Sequence, residues 1–190
     1  MTERQFQTCL ERGARSEGFH VTPIPDGGRA GAQRVYDLVL TRSGQGHHIE
    51  LKTIKGRAQS FGFRQLQAHQ EKNLLSAKAA GGIGWVGIFI QIRAGRELSR
   101  FLGVERGAKF EAFYVVEITK LLALRDEEFW TSVPVIWIIN HGIFLGQLES
   151  EFSPEGKELK RWSALLMDQD EWTANVLSEA ERVWMEAGDE

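Results

Sequence analysis

The sequence predicts an α/β fold of the α+β kind, a central mixed β-sheet flanked by helices. Apolar runs of strand length recur at residues 35–40, 48–52, 85–92 and 112–118, each bounded by polar or glycine-bearing segments. Between and before them lie longer stretches with apolar residues at helical spacing. A chain of 190 residues sustains one well-filled core and is short for two, so strands and helices share one layered domain.

Taken in order, residues 2–17 read as an amphipathic helix with Phe6, Leu10 and Gly13 or Ala14 on its buried face, ended by Gly18. Cys9, the single cysteine, excludes an internal disulfide and reads as a packing residue of that helix. Pro23 and Pro25 keep a short strand at 19–24 to an edge or end of the sheet. The strands at 35–40 and 48–52 pair antiparallel through the polar turn 41–47, which holds Ser43-Gly44-Gln45-Gly46, and the His47-His48 pair reads as turn residues where it meets the second strand. A helix follows at 63–80, stopped by Gly81-Gly82, then strands at 85–92 and 112–118, a helix at 119–130, a strand at 135–139 and a short edge strand at 142–145. From Ser153 the chain reads as two helices. Ser153-Pro154-Glu155 carries a capping residue, a proline for the first helical position and an early acid, and Asp170 opens the second helix. Residues 1–150 therefore form the main domain and 151–190 a helical extension, packed on the core or at a dimer interface.

The chemistry concentrates in Glu50-Leu51-Lys52. On an extended strand Glu50 and Lys52 share one face and Leu51 takes the other. The antiparallel hairpin brings Asp37 close to Glu50. Two carboxylates forced together repel unless a cation lies between them, and oxygen-only ligation suits magnesium, with manganese substituting. A lysine beside that metal orients or deprotonates a water for attack on phosphorus. The Glu-x-Lys spacing alone is weak: it recurs at Glu155-Gly156-Lys157 and Glu158-Leu159-Lys160, in a polar stretch that reads as helix.

The order of helix, Asp-bearing strand, turn, Glu-x-Lys strand and Gln-bearing helix resembles the PD-(D/E)xK nuclease superfamily. Within it, residues 1–145 are similar to the RecU-type Holliday junction resolvases, chiefly through Ser60-Phe61 and His69-Gln70, with a more distant likeness to the archaeal junction resolvases. The resemblance implies a restriction-endonuclease-like core, Asp37 and Glu50 as metal ligands, Lys52 as the catalytic lysine, Gln70 near the scissile phosphate and His69 in the nucleic-acid-binding stretch. It also implies an acid on the first helix. Glu3 fits the RecU pattern and lies nearer the buried face; Glu11 is the alternative. A homodimer and cleavage of branched DNA, the four-way junction, are implied as well. Where RecU proteins carry a long stalk, this chain has only residues 25–34, a basic loop whose Arg29 and Arg34 are placed to reach phosphates.

Net charge is −3, but its distribution is uneven. Residues 1–110 hold 17 Lys and Arg against 9 Asp and Glu, and residues 111–190 hold 6 against 17. Lys55, Arg57 and Arg64 directly follow the motif strand, as a phosphate-tracking face requires. No run resembles a signal peptide or a membrane span, which predicts a cytoplasmic protein. The reading is a magnesium-dependent endonuclease resolving four-way junctions. Its alternatives are a nuclease of the same fold acting on linear or flap DNA and a non-catalytic DNA-binding module.

Overall fold

Seven consecutive residues of one strand, Gly84 to Ile90, are buried, so that strand is covered on both faces and the rest of the molecule is layered around it. It belongs to a computed structural model that describes residues 3–16, 18–24, 36–146, 148–152 and 158–162. The strand is β5 (Ile83–Arg93). The elements before it are α1 (Glu3–Ser16), β1 (His20–Pro23), β2 (Leu38–Arg42), β3 (Gln45–Gly56), β4 (Ser60–Gly62), a 3₁₀ turn (Phe63–Gln65) and α2 (Ala68–Ala79). After it come α3 (Arg96–Leu102), β6 (Lys109–Glu117), α4 (Ile118–Asp126), β7 (Ser132–Pro134), α5 (Val135–His141), β8 (Ile143–Gly146), β9 (Leu148–Phe152) and β10 (Glu158–Trp162).

The main sheet has six strands in the order β1-β2-β3-β5-β6-β8. Only the β3–β5 pair is parallel, with α2 in the crossover; the other pairs are antiparallel. The chain is thus a mixed α/β fold whose central mixed sheet is flanked by helices. Strand alternation sends Ile49, Leu51, Phe89 and Phe113 to one face, where Phe6, Leu10 and Ala14 of α1 cover them. Phe6 stacks on Phe89 at 4.9 Å and meets Phe113 edge-on at 4.7 Å, geometry favoured by the aromatic quadrupole. Val86, Ile88, Ile90 and Tyr114 point the other way, against Leu74, Leu98, Leu121, Leu124 and Ile138 of α2 to α5. No helix of the described residues is long and apolar enough to cross a membrane.

Four expectations change. The turn between β2 and β3 is Ser43-Gly44 alone, with φ of +50° and +81°, as a two-residue hairpin of the primed type needs. His47 and His48 therefore lie within β3, on opposite faces. The predicted helix at 63–80 is split, because Leu66 and Gln67 are extended and Gln67 caps α2 with Gln70 in a capping box. Residues 135–139 are helical instead of extended: Pro134 ends β7, and buried Val135 and Ile138 fall three apart on one helix face. Glu158–Trp162, read as helix, is a strand paired antiparallel with β9. The second helix predicted in the tail lies outside the described residues, as does the 25–34 loop.

Two consequences are measurable. A Cβ on Gly84 would stand 2.6 Å from the Leu74 carbonyl oxygen of α2, so Gly84→Ala forces that helix off β5. We expect a loss of about 1–3 kcal/mol in urea unfolding; an unchanged midpoint rejects this close packing. His47 is 3% exposed, and its Nδ1 accepts a hydrogen bond from Trp85 Nε1 at 3.2 Å. Burial, with the neighbouring His48 adding to it, pushes its imidazole down to about 4. Above pH 6.5 both folded and unfolded His47 are neutral. As pH falls towards 4 only the unfolded chain takes up the proton, so stability drops, by about 3 kcal/mol at most from this group. The slope of the urea midpoint between pH 6.5 and 4 should be shallower in His47→Gln than in the parent.

Candidate active site at the parting of two strands

β3 runs for 12 residues, but β2 accompanies it only from Gln45 to Ile49, while β5 pairs with it from His47 to Gly56. At the point where β2 stops, Asp37 donates its backbone N–H to the Ile49 carbonyl at 3.1 Å. Its carboxylate Oδ2 accepts the Leu51 N–H at 2.6 Å. In the antiparallel register that N–H would otherwise seek the backbone of residue 36, so the side chain replaces the strand for one step. Asp37 is consequently held against β3 beside Glu50, and both are buried, 6% and 4% exposed.

Glu50 faces the α2 layer. Its Oε1 accepts Lys52 Nζ at 2.8 Å and the Gln70 side-chain amide from α2. Gln70 also accepts the Gln67 backbone N–H at 2.9 Å through its side-chain carbonyl oxygen, so a residue in the first turn of α2 both caps the helix and holds the Glu50 carboxylate. The Lys52 side chain is 14% exposed, so it is not fully sealed from solvent. Donors thus surround one oxygen of Glu50 and the strand backbone fixes one oxygen of Asp37. The result is an oxygen-rich pair beside a cation, able to bind a divalent metal and stabilise charge on a phosphate.

Of the site residues drawn from the sequence, Asp37, Glu50, Lys52 and Gln70 come together. Glu3 opens α1, and its side chain lies outside the described residues. Glu11 approaches indirectly: Gln7 Nε2 donates to Glu11 Oε1 at 2.9 Å and to the Asp37 carbonyl at 3.2 Å. No group of three or more His, Cys, Asp or Glu side chains able to hold a metal occurs among the described residues. Lys55, Arg57 and Arg64 are exposed, and His69 is half-buried on α2 beside Gln70; alternation turns Lys55 to the opposite face of β3 from Lys52. Arg29 and Arg34 lie outside the described residues.

Three neighbours escaped sequence reading. Gln7 is one, visible only as a polar residue four before Glu11. The second is Tyr36, whose hydroxyl donates to the Asn73 carbonyl at 3.2 Å, with burial raising its pKa. The third is His48, tilted against the Tyr36 ring at 4.6 Å and pushed below the usual imidazole range by burial. Its Nδ1 is buried without a hydrogen-bond partner among the described residues. Alternation from Glu50 places His48 on the site's face.

The double role of Gln70 predicts an order of stabilities in chelator. Gln70→Ala should cost about 1–2 kcal/mol, through the lost capping box and the lost donor to Glu50. Gln70→Glu should cost more, because it sets a carboxylate against Glu50. Equal unfolding midpoints for the two variants in urea would show that Gln70 does not face Glu50.

No protein-family model and no curated protein matches the chain. Among solved structures it is similar to Hjc from Archaeoglobus fulgidus, a Holliday junction resolvase from an archaeal hyperthermophile, at 13% identity and a TM-score of 0.43, over 73% of this chain and 91% of that one.

Proposed function

We propose that the chain is a divalent-metal-dependent DNA endonuclease that resolves four-way junctions. The observation that carries the reading is the pair of buried carboxylates, Asp37 and Glu50, brought together at the parting of β2 and β3 with Lys52 on Glu50. Burying two acids side by side is costly in a site with no cation to share.

The donor set fits magnesium, which is commonly held by one or two carboxylates and completes its shell with water and substrate phosphate. Asp37 and Glu50 are the protein ligands, with Glu3 or Glu11 completing the acidic cluster, and manganese substitutes. The bound cation supplies charge neutralisation at the scissile phosphate and an activated water. Lys52 orients that water and faces the phosphate; Gln70 fixes the Glu50 carboxylate, and His69 lies beside it on the approach to the phosphate. Arg29, Arg34, Lys55, Arg57 and Arg64 are the cations assigned to the phosphate backbone. Two symmetric cuts need two sites, so the working unit is a homodimer. The short 25–34 segment favours a second reading, a nuclease of the same fold with less preference for junctions, because little chain is available there to enter a junction centre.

The test is cleavage of an immobile four-way junction and of a linear duplex of the same sequence, with magnesium and with chelator. Paired symmetric nicks in the junction alone are expected. Lys52→Ala should lower the rate by roughly 10²–10⁴-fold while leaving junction affinity in chelator within about twofold. Equal cutting of both substrates selects the second reading. The absence of any metal-dependent cut reduces the chain to a DNA-binding module.

A further inference from the structure

Four large apolar side chains are exposed among the described residues: Leu75, Phe101, Val104 and Phe129. Single exposed apolar residues are ordinary, so their surroundings decide which of them matters. Phe129 follows Asp126, Glu127 and Glu128, an acidic setting that repels phosphate. Phe101 and Val104 sit instead in the β5–β6 connection, a stretch that also carries exposed Arg96, Arg100 and Arg106, flanked by exposed Arg93 and Lys109, against exposed Glu97 and Glu105.

None of the described carboxylates forms an ion pair with Arg93, Arg96, Arg100 or Arg106. The segment is also rigidly mounted. Gln59 donates to the Arg93 carbonyl at 3.0 Å and accepts the Gly95 N–H at 3.3 Å, which ties the Arg57-bearing loop to the start of α3. Leu98 anchors α3 in the core cluster on the Glu50 side of the sheet. Lys52 is level with Ile88 on β5, and α3 begins beyond Arg93. Five residues of strand separate them, roughly 17 Å, or about five phosphate steps along one DNA strand.

We infer that α3 and the turn into β6 recognise a DNA branch point, Phe101 stacking on a base left exposed there while Arg96, Arg100 and Arg106 hold the flanking phosphates. An exposed aromatic ring among unpaired cations is the combination that binds unstacked nucleotides, and a fully paired duplex offers the ring no base face. This rests on the reading of the chain as a DNA-acting protein and assigns to it a substrate with unstacked bases. The anchoring site lies apart from the carboxylates, so binding is measurable without the metal.

The experiment uses the full chain in chelator with two fluorescent probes: a forked DNA carrying 2-aminopurine at the first unpaired position, and a fully paired duplex of matched length. Wild type should prefer the fork and quench the 2-aminopurine. Phe101→Ser should lower the fork-to-duplex affinity ratio by about tenfold and abolish the quenching, and Phe101→Trp should retain both. Arg96→Glu should weaken both probes and flatten their salt dependence. Phe129→Ser serves as the exposed control and should match wild type. A Phe101→Ser protein with the parent's ratio and quenching overturns the inference. Loss of both properties in a chain that never cuts DNA retains the inference and removes the nuclease reading alone.

Discussion

Asp37 stands immediately before β2, at the point where β2 and β3 part, and the hydrogen bond from the Leu51 N–H to its carboxylate is the contact on which the rest of the site depends. A strand that simply continued would pair that N–H with backbone and bring no charge near Glu50. Because the side chain takes the place of the strand, the partner strand can leave, Lys52 to Gly56 keep an edge that β2 does not cover, and the carboxylate is set in a fixed place. The bond joins a charged acceptor to a buried donor, worth about 1.5–3 kcal/mol. The same contact therefore satisfies the backbone and positions the acid.

Glu50 shows a related economy on the α2 side of β3. Its removal from water carries a desolvation cost, and Lys52 and Gln70 offset part of it by donating to the same oxygen. Gln70 does so from the first turn of α2, whose end is set by the capping box and whose distance from the sheet is set by Gly84 against Leu74. Site geometry is thereby coupled to core packing. Phe6 on Phe89 and Phe113 clamps the opposite face, so the sheet that carries both carboxylates is held from both sides.

Much of this was legible in the sequence, for identifiable reasons. The hairpin and its pairing follow from period-two alternation on either side of Ser43-Gly44, and α1 follows from Phe6, Leu10 and Ala14 recurring at helical spacing. The convergence of Asp37, Glu50 and Lys52 needed only that hairpin. Gln70 was reached through resemblance, since its contact crosses from helix to strand and no local pattern encodes it. Local patterns also failed where tertiary context decides. The run Val135-Ile136-Trp137-Ile138-Ile139 is apolar throughout, so neither period shows, and it became a helix because Val135 and Ile138 pack into a face already occupied by sheet. Glu158–Trp162 has helix-favouring composition, yet β9 supplies the ladder partner that a window of sequence does not contain. Tyr36 and Gln7 act through long-range contacts, with Asn73 and Asp37 respectively.

The arrangement of charge follows the same polarity as the sheet. Near the start of β5, Lys78 meets Glu117 at 2.5 Å, and between α2 and α4 Arg125 meets Glu71 at 2.6 Å. At the other end, where β3 and β5 finish, Arg57, Arg93, Arg96, Arg100 and Arg106 form no ion pair with the described carboxylates. A group of cations without partners among the described carboxylates raises the local potential, a cost that a bound polyanion would remove. Asp37 and Glu50 lie between the two ends, where β2 gives up β3. On the proposed function, a DNA strand entering from the cationic end would meet first the arginines, then Lys52, and only then the carboxylates. In that order a phosphate would be attracted before it reached the negative pair, and would reach it beside the Lys52 ammonium that Glu50 holds in place.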